Sequence, residues 1–200
     1  MTEGINKAPA LFLDRDGTII REVGYLQKTE DIEFLPGAVE AIRHINKAGW
    51  KCVIISNQSG VAKGYFSEET VRRINAELIT LLRQEMAIID GIYYCPHHPE
   101  GSPPYNIQCN CRKPAPGLVF KAAAELNIDI AASAIIGDKY SDVQTARRLG
   151  IPGILVLTGY GQAERDKIKQ NGDEPPSHVR ENLLDAVEWW FRHISQQKPE

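Results

Sequence analysis

Five short apolar runs recur along the chain with helix-length segments between them, at residues 10–13 (ALFL), 51–56 (KCVIIS), 91–95 (GIYYC), 134–137 (AIIG) and 153–157 (GILVL). Each is bounded by Gly, Pro, Asp or Asn. Runs this short and this uniformly apolar read as strands buried on both faces, and a helical crossover between neighbours lets them lie parallel. The pattern predicts an α/β fold with a parallel sheet covered by helices on both sides.

The intervening segments have helical period. Val39, Ile42 and Ile45 follow Pro36 and precede Gly49, which act as start and stop signals. Ser67 is placed to cap a helix burying Val71, Ile74, Leu78, Leu81 and Leu82, and residues 118–126 and 142–149 give two shorter helices, the second stopped by Gly150. A last helix spans about 180–195, with Leu184, Val187, Phe191 and Ile194 on one face and Trp189 and Trp190 sealing the core edge. Residues 159–177, rich in Gly, Gln, Asp and Pro, read as a long surface connection. The short connections leave no room for a large cap domain, so the site should be open.

At 200 residues, 42% apolar and 24% charged, the chain fits a single domain, residues 1–200, of ordinary soluble composition. A formal net charge of -3 with no Lys/Arg run offers no field for nucleic acid or an anionic membrane. The N-terminus lacks a charged-then-apolar leader pattern, and no apolar stretch approaches the roughly 20 residues that span a bilayer. A cytoplasmic monomer acting on a small molecule is expected.

In an open parallel sheet, ligands bind beyond the carboxyl ends of the strands. Three of the expected strands end in polar residues: Asp14-Arg15-Asp16-Gly17-Thr18, Ser56-Asn57-Gln58-Ser59-Gly60, and Gly137-Asp138-Lys139 followed by Asp142. Asp14 and Asp16, two positions apart, can face one substrate. The first can attack phosphorus, and the second can protonate the departing alkoxide and later take a proton from water. Alone the pair are ordinary loop acids; a carboxylate attacking an anionic phosphate needs positive charge nearby. Carboxylates of Asp14 and Asp138 with a backbone oxygen near Asp16 make a hard oxygen set suited to Mg²⁺, with Asp142 orienting it or capping the next helix. The Ser56 hydroxyl and the amides of Asn57 and Gln58 can donate to phosphoryl oxygens, Lys113 can neutralise their charge, and Arg112 can grip a second anionic group.

Cys95-Pro96-His97-His98 and Cys109-Asn110-Cys111 supply two close ligand pairs, the spacing of a closed Zn²⁺ site. The expected set is Cys95, His97, Cys109 and Cys111, a structural zinc stapling loop 95–111, with His98 as an alternative to His97 and a disulfide or free thiols as alternatives to the metal. Cys52, inside a strand, reads as a small buried hydrophobe.

Taken together, DRDGT, SNQSG, the lysine of CRKP and GDKYSD resemble, in order and spacing, the four motifs of the haloacid dehalogenase (HAD) superfamily of phosphatases. The likeness extends through FLDRDGTI, GYL, SNQSGVAKGYF, DGIYYCPHHPEG, CNCRKPAPG and IIGDKYSD, about residues 9–160. The resemblance implies a Rossmann-like sheet, with Asp14 as nucleophile and Asp16 as general acid/base. It implies Mg²⁺ on Asp14, Asp138 and the backbone oxygen of Asp16, and a structural Zn²⁺ loop. Implied substrate contacts are Glu22, Val23, Gly24, Tyr25, Ser56, Asn57, Gln58, Ser59, Arg112, Lys113 and Lys139. The implied reaction is hydrolysis of a sugar bisphosphate, at C7 of a heptose 1,7-bisphosphate, in the making of nucleotide-activated heptose and lipopolysaccharide. Histidinol phosphate is the rival substrate. A non-catalytic, zinc-stapled binding protein is the rival from another class, disfavoured because a binding module has no use for the second carboxylate.

Overall fold

The computed structural model describes residues 7–194. Its elements run β1 (Ala10–Leu13), a 3-10 turn (Thr29–Asp31), α1 (Ala38–Lys47), β2 (Lys51–Asn57), α2 (Ser59–Ala62), α3 (Glu68–Gln84) and β3 (Gly91–Cys95). They continue with α4 (Gly117–Leu126), β4 (Ala134–Gly137), α5 (Tyr140–Arg148), β5 (Gly153–Val156), α6 (Gly161–Asn171), β6 (His178–Arg180) and α7 (Leu183–Ile194).

Because side chains alternate across a strand, each apolar run feeds two layers. Leu11, Leu13, Cys52 and Ile54 share one core with Ile42 and Ile45 of α1, Ile74 and Leu78 of α3, and Val187 and Trp190 of α7. Ala10, Phe12, Val53 and Ile55 share the opposite core with Leu118, Val119 and Ala122 of α4. The sheet order is β3-β2-β1-β4-β5-β6, and every pairing is parallel. The chain winds outward from β1 in one direction, then returns to start β4 on the other side of it. The carboxyl ends of β1 and β4 therefore flank the topological switch point, where such sheets open a crevice.

Helix starts follow local chemistry. The Ser67 hydroxyl accepts from the Thr70 N–H at 3.2 Å and caps α3, whose buried stripe is Val71, Ile74, Asn75, Leu78 and Leu82. Two expectations are corrected. Among the described residues the sheet has six strands rather than five: β6 pairs with β5 from Ile154↔His178 to Val156↔Arg180, but with Val179 its one apolar residue it gives no hydrophobic run. Residues 159–177 are not a plain surface connection but contain α6, which buries Gly161 and Ile168 and so shows almost no apolar stripe. The last helix runs Leu183–Ile194, and residue 195 lies outside the described residues.

Trp190 closes the edge between α1 and α7, its ring edge-on to Trp50 at 6.0 Å. Trp189 is only partly buried and stacks on His193, with ring centroids 4.3 Å apart. Trp190→Ala should lower the unfolding free energy by about 3–5 kcal/mol. Urea denaturation measures this; a loss under about 1 kcal/mol would show that the core does not depend on the seam.

Candidate active site

Asp14 follows β1 directly and is 4% exposed. Its N–H continues the sheet ladder to the Ile136 carbonyl at 3.0 Å, so the residue is fixed to β4 as well as β1. Burial works against its ionisation, but the charges of Lys113 and Lys139 hold its carboxyl below the usual carboxylate range. Lys113 is equally buried. Its ammonium lies 2.9 Å from Asp14 Oδ1 and 2.5 Å from Asp142 Oδ1, and donates to the Ile55 carbonyl at 2.8 Å. Burial alone would lower its pKa; the two carboxylates raise it instead.

Asn57, at the end of β2, positions the backbone of Lys113. Its amide accepts from the Lys113 N–H and donates to the Lys113 carbonyl, each at 3.0 Å, in a closed pair of bonds. Asp142 Oδ2 accepts from the Lys139 N–H at 3.2 Å, so this residue both caps α5 and pairs with Lys113.

Asp138 is fully buried at the end of β4. Its Oδ2 accepts from the Tyr160 N–H at 2.8 Å, while Oδ1 has no hydrogen-bond partner. Burial and the neighbouring Asp14 push its carboxyl up to about 8. Carboxylate oxygens of Asp14, Asp138 and Asp142 lie within 4.8 Å of one another. An orphaned buried oxygen among hard donors fits a cation such as Mg²⁺. Gly17, at φ +81°, is required here because a Cβ would run into the Asp138 carboxylate.

Asp16 faces an open cleft of about 470 Å³ that is also lined by Arg15, Glu22, Gly24, Tyr25, Asn57 and Gln58, among others. Both carboxylate oxygens of Asp16 meet the Arg15 guanidinium, the nearer at 2.9 Å, and Oδ2 also accepts from Gln58 Nε2 at 2.9 Å. Gln58 Nε2 donates to Ser56 Oγ as well, at 2.7 Å. Lys139 and Ser59 line the cleft, with Lys139 paired to Glu22 at 3.1 Å. Val23 turns to solvent outside the cleft lining, and Arg112 donates to the His97 carbonyl at 3.1 Å.

Sequence reasoning missed several contributors. Arg15 is 1% exposed and anchored on Asn75 Oδ1 of α3 at 2.8 Å. Asn75 carried a usable signal, since a polar residue sits there within an otherwise apolar helical stripe. The turn 158–160 and α6 residues Glu164 and Lys167 also reach the site, with nothing in composition to mark them.

Beside the cleft, Cys95, His97, Cys109 and Cys111 bring their sulfur and ring nitrogen atoms within 4.8 Å of one another. The sulfurs of Cys95 and Cys111 are 3.0 Å apart, and His97 Nδ1 is 3.3 Å from Cys111. His98 turns away and accepts from the Glu100 N–H. Four soft or borderline donors converging without a free position fit a structural Zn²⁺. Cys52 is buried in β2, away from this group. Among the described residues, no helix is long and apolar enough to cross a membrane.

Comparison with known proteins agrees with this geometry. Residues 110–186 match the HAD-hydrolase-like family. A D-glycero-D-manno-heptose-1,7-bisphosphate 7-phosphatase of Thermosynechococcus vestitus is 39% identical over 94% of this chain and 97% of its own. A D-glycero-beta-D-manno-heptose-1,7-bisphosphate 7-phosphatase of Yersinia pestis is 42% identical over 90% and 98%. A crystal structure of D,D-heptose 1,7-bisphosphate phosphatase from B. bronchiseptica, complexed with magnesium and phosphate, superposes with a TM-score of 0.81 at 31% identity, covering 92% of this chain and 99% of that one. Similarity of this degree along nearly the whole of both chains shows that this protein belongs to the D-glycero-D-manno-heptose-1,7-bisphosphate 7-phosphatase family of HAD-like phosphatases.

Proposed function

We propose that this phosphatase removes the C7 phosphate of D-glycero-D-manno-heptose 1,7-bisphosphate through an aspartyl-phosphate on Asp14. The observation that carries the reading is the buried Asp14 carboxyl, paired with Lys113 and clustered with Asp138 and Asp142, with Asp16 facing the cleft two residues away. The relatives supply the substrate class, a heptose bisphosphate.

In the first half-reaction an Asp14 oxygen bonds to phosphorus as the bond to the sugar oxygen breaks. Asp16 gives that oxygen its proton, so the sugar leaves as an alcohol. In the second, water attacks the phosphoryl group, Asp16 takes its proton, and inorganic phosphate leaves with Asp14 restored. Arg15 and Gln58 hold Asp16 toward the cleft. Ser56 Oγ accepts from Gln58, leaving its own hydroxyl hydrogen to donate to a phosphoryl oxygen. Lys139, at the cleft wall, adds positive charge. Bound at Asp14, Asp138 and the backbone oxygen of Asp16, Mg²⁺ would supply the charge that offsets repulsion between carboxylate and phosphate.

Cys95, His97, Cys109 and Cys111 would hold a structural Zn²⁺, and its role is positional: Cys111 is two residues from Lys113. Glu22, Gly24, Tyr25, Asn57 and Ser59, which line the cleft, complete the proposed substrate contacts, whereas Val23 and Arg112 lie outside its lining.

Asp14→Asn should abolish phosphate release from heptose bisphosphate, and Asp16→Asn should lower kcat by about 10²–10⁴-fold while substrate still binds. Kinetics on both anomers of the bisphosphate, histidinol phosphate and hexose phosphates tests the substrate. A lead for histidinol phosphate would overturn the heptose assignment, and full activity in Asp16→Asn would remove that residue from the mechanism. Lys113→Met leaves Asp14 and Asp142 without their counter-charge and should cost about 3–5 kcal/mol at neutral pH. Because Lys113 depresses the Asp14 pKa, its contribution is present above the ordinary 3.8 and fades at lower pH, so the deficit should shrink in acid denaturation series. Cys109→Ser should abolish bound zinc in elemental analysis and lower kcat/KM by about 10-fold or more. Full activity without zinc would show that the loop orders itself.

A further inference from the structure

The turn after β5 lies outside every motif recognised in the sequence, yet it touches both the loop after β1 and the end of β4. The Thr158 hydroxyl donates to the Gly17 carbonyl at 2.6 Å. Gly159, at φ +56°, packs against the Gly17 Cα, and a Cβ on it would run into the Asp138 carboxylate. The Tyr160 N–H then bonds Asp138 Oδ2 at 2.8 Å. That bond occupies one carboxylate oxygen and leaves the other, buried and unpartnered, in the cluster with Asp14. Farther on, Glu164 accepts from the Tyr140 N–H at 3.0 Å, fastening α6 to the start of α5, two residues after Asp138.

We propose that Thr158 is a positioning residue for the magnesium site: its hydroxyl pins the turn 158–160 to the loop carrying Asp14 and Asp16, so that the Tyr160 N–H fixes the rotation of Asp138. The inference rests on the magnesium-dependent reading given above. Thr158 does not line the cleft, so its effect should fall on the metal rather than on the sugar. Side chains that orient a metal's ligands typically alter metal affinity by about 10–100-fold. Valine keeps the shape of Thr158 without the hydroxyl; serine keeps the hydroxyl without the methyl.

The test is calorimetric titration of Mg²⁺ into the full chain, dialysed free of magnesium, for wild type, Thr158→Val, Thr158→Ser and Gly159→Ala, with a thermal melt of each and kinetics on heptose bisphosphate. Thr158→Val should weaken Mg²⁺ binding about 10-fold or more, Thr158→Ser should stay near wild type, and Gly159→Ala should weaken it at least as much as valine. At saturating Mg²⁺, KM for the sugar phosphate should stay within about two-fold. Unchanged Mg²⁺ affinity in folded Thr158→Val overturns the proposal, as does a serine variant as weak as the valine one. If the valine variant does not melt cooperatively, Gly159→Ala and Thr158→Ser decide: wild-type affinity in folded Gly159→Ala, or weakened affinity in Thr158→Ser, overturns it. A wild-type chain that binds Mg²⁺ but releases no phosphate from any sugar phosphate would instead overturn the phosphatase reading.

Discussion

The interaction on which the site depends is the buried ammonium of Lys113. A lysine withdrawn from water loses several kcal/mol of hydration, and it stays charged where nearby carboxylates offset that loss. Here the ammonium donates to the Ile55 carbonyl and forms ion pairs with Asp14 and Asp142. The arrangement has a chemical consequence. Its charge acts on Asp14, the proposed nucleophile, holding that carboxyl below the usual carboxylate range in a place where burial alone would raise it. Contacts to the phosphoryl oxygens are proposed for Lys113 together with Ser56 and Lys139.

Holding Lys113 in place requires structure from several directions. Asn57 grips its backbone from the end of β2, and Asp142 meets its head group from the first turn of α5. The Cys/His cluster closes the loop that ends two residues before it. That loop is poor in apolar residues and cannot order itself by burial, so convergent metal ligands are a physical substitute for a core. The two candidate metal centres thus have opposite chemistry and one purpose: soft donors fix a loop, and hard donors at the strand ends are left with unmet charge.

The parts visible in the sequence are those where one residue type has few other uses. Asp14, Asp16 and Asp138 stand at the ends of apolar runs, and three cysteines with a histidine crowd into one loop; both patterns project directly from sequence to space. β6 and α6 were hidden because each has too little apolar surface to show a period: Val179 in one, Ile168 in the other. The turn 158–160 was hidden for a different reason. Its work is done by two backbone groups and one hydroxyl, and backbone hydrogen bonds leave no trace in residue identity.

Asn75 shows how the two layers of the fold meet at the site. It sits on the core face of α3, where a polar group without a partner would be costly, and it is satisfied by Arg15 from the loop after β1. Arg15 in turn holds Asp16. On the other face of the sheet, the loop leading into α4 delivers Lys113 to Asp14. The two carboxylates are therefore fastened from opposite helical layers, Asp16 through α3 and Asp14 through the approach to α4. A shift of either layer against the sheet would change the distance between Asp14 and Asp16, the proposed nucleophile and acid, so the packing of the apolar runs is itself part of what would set the chemistry.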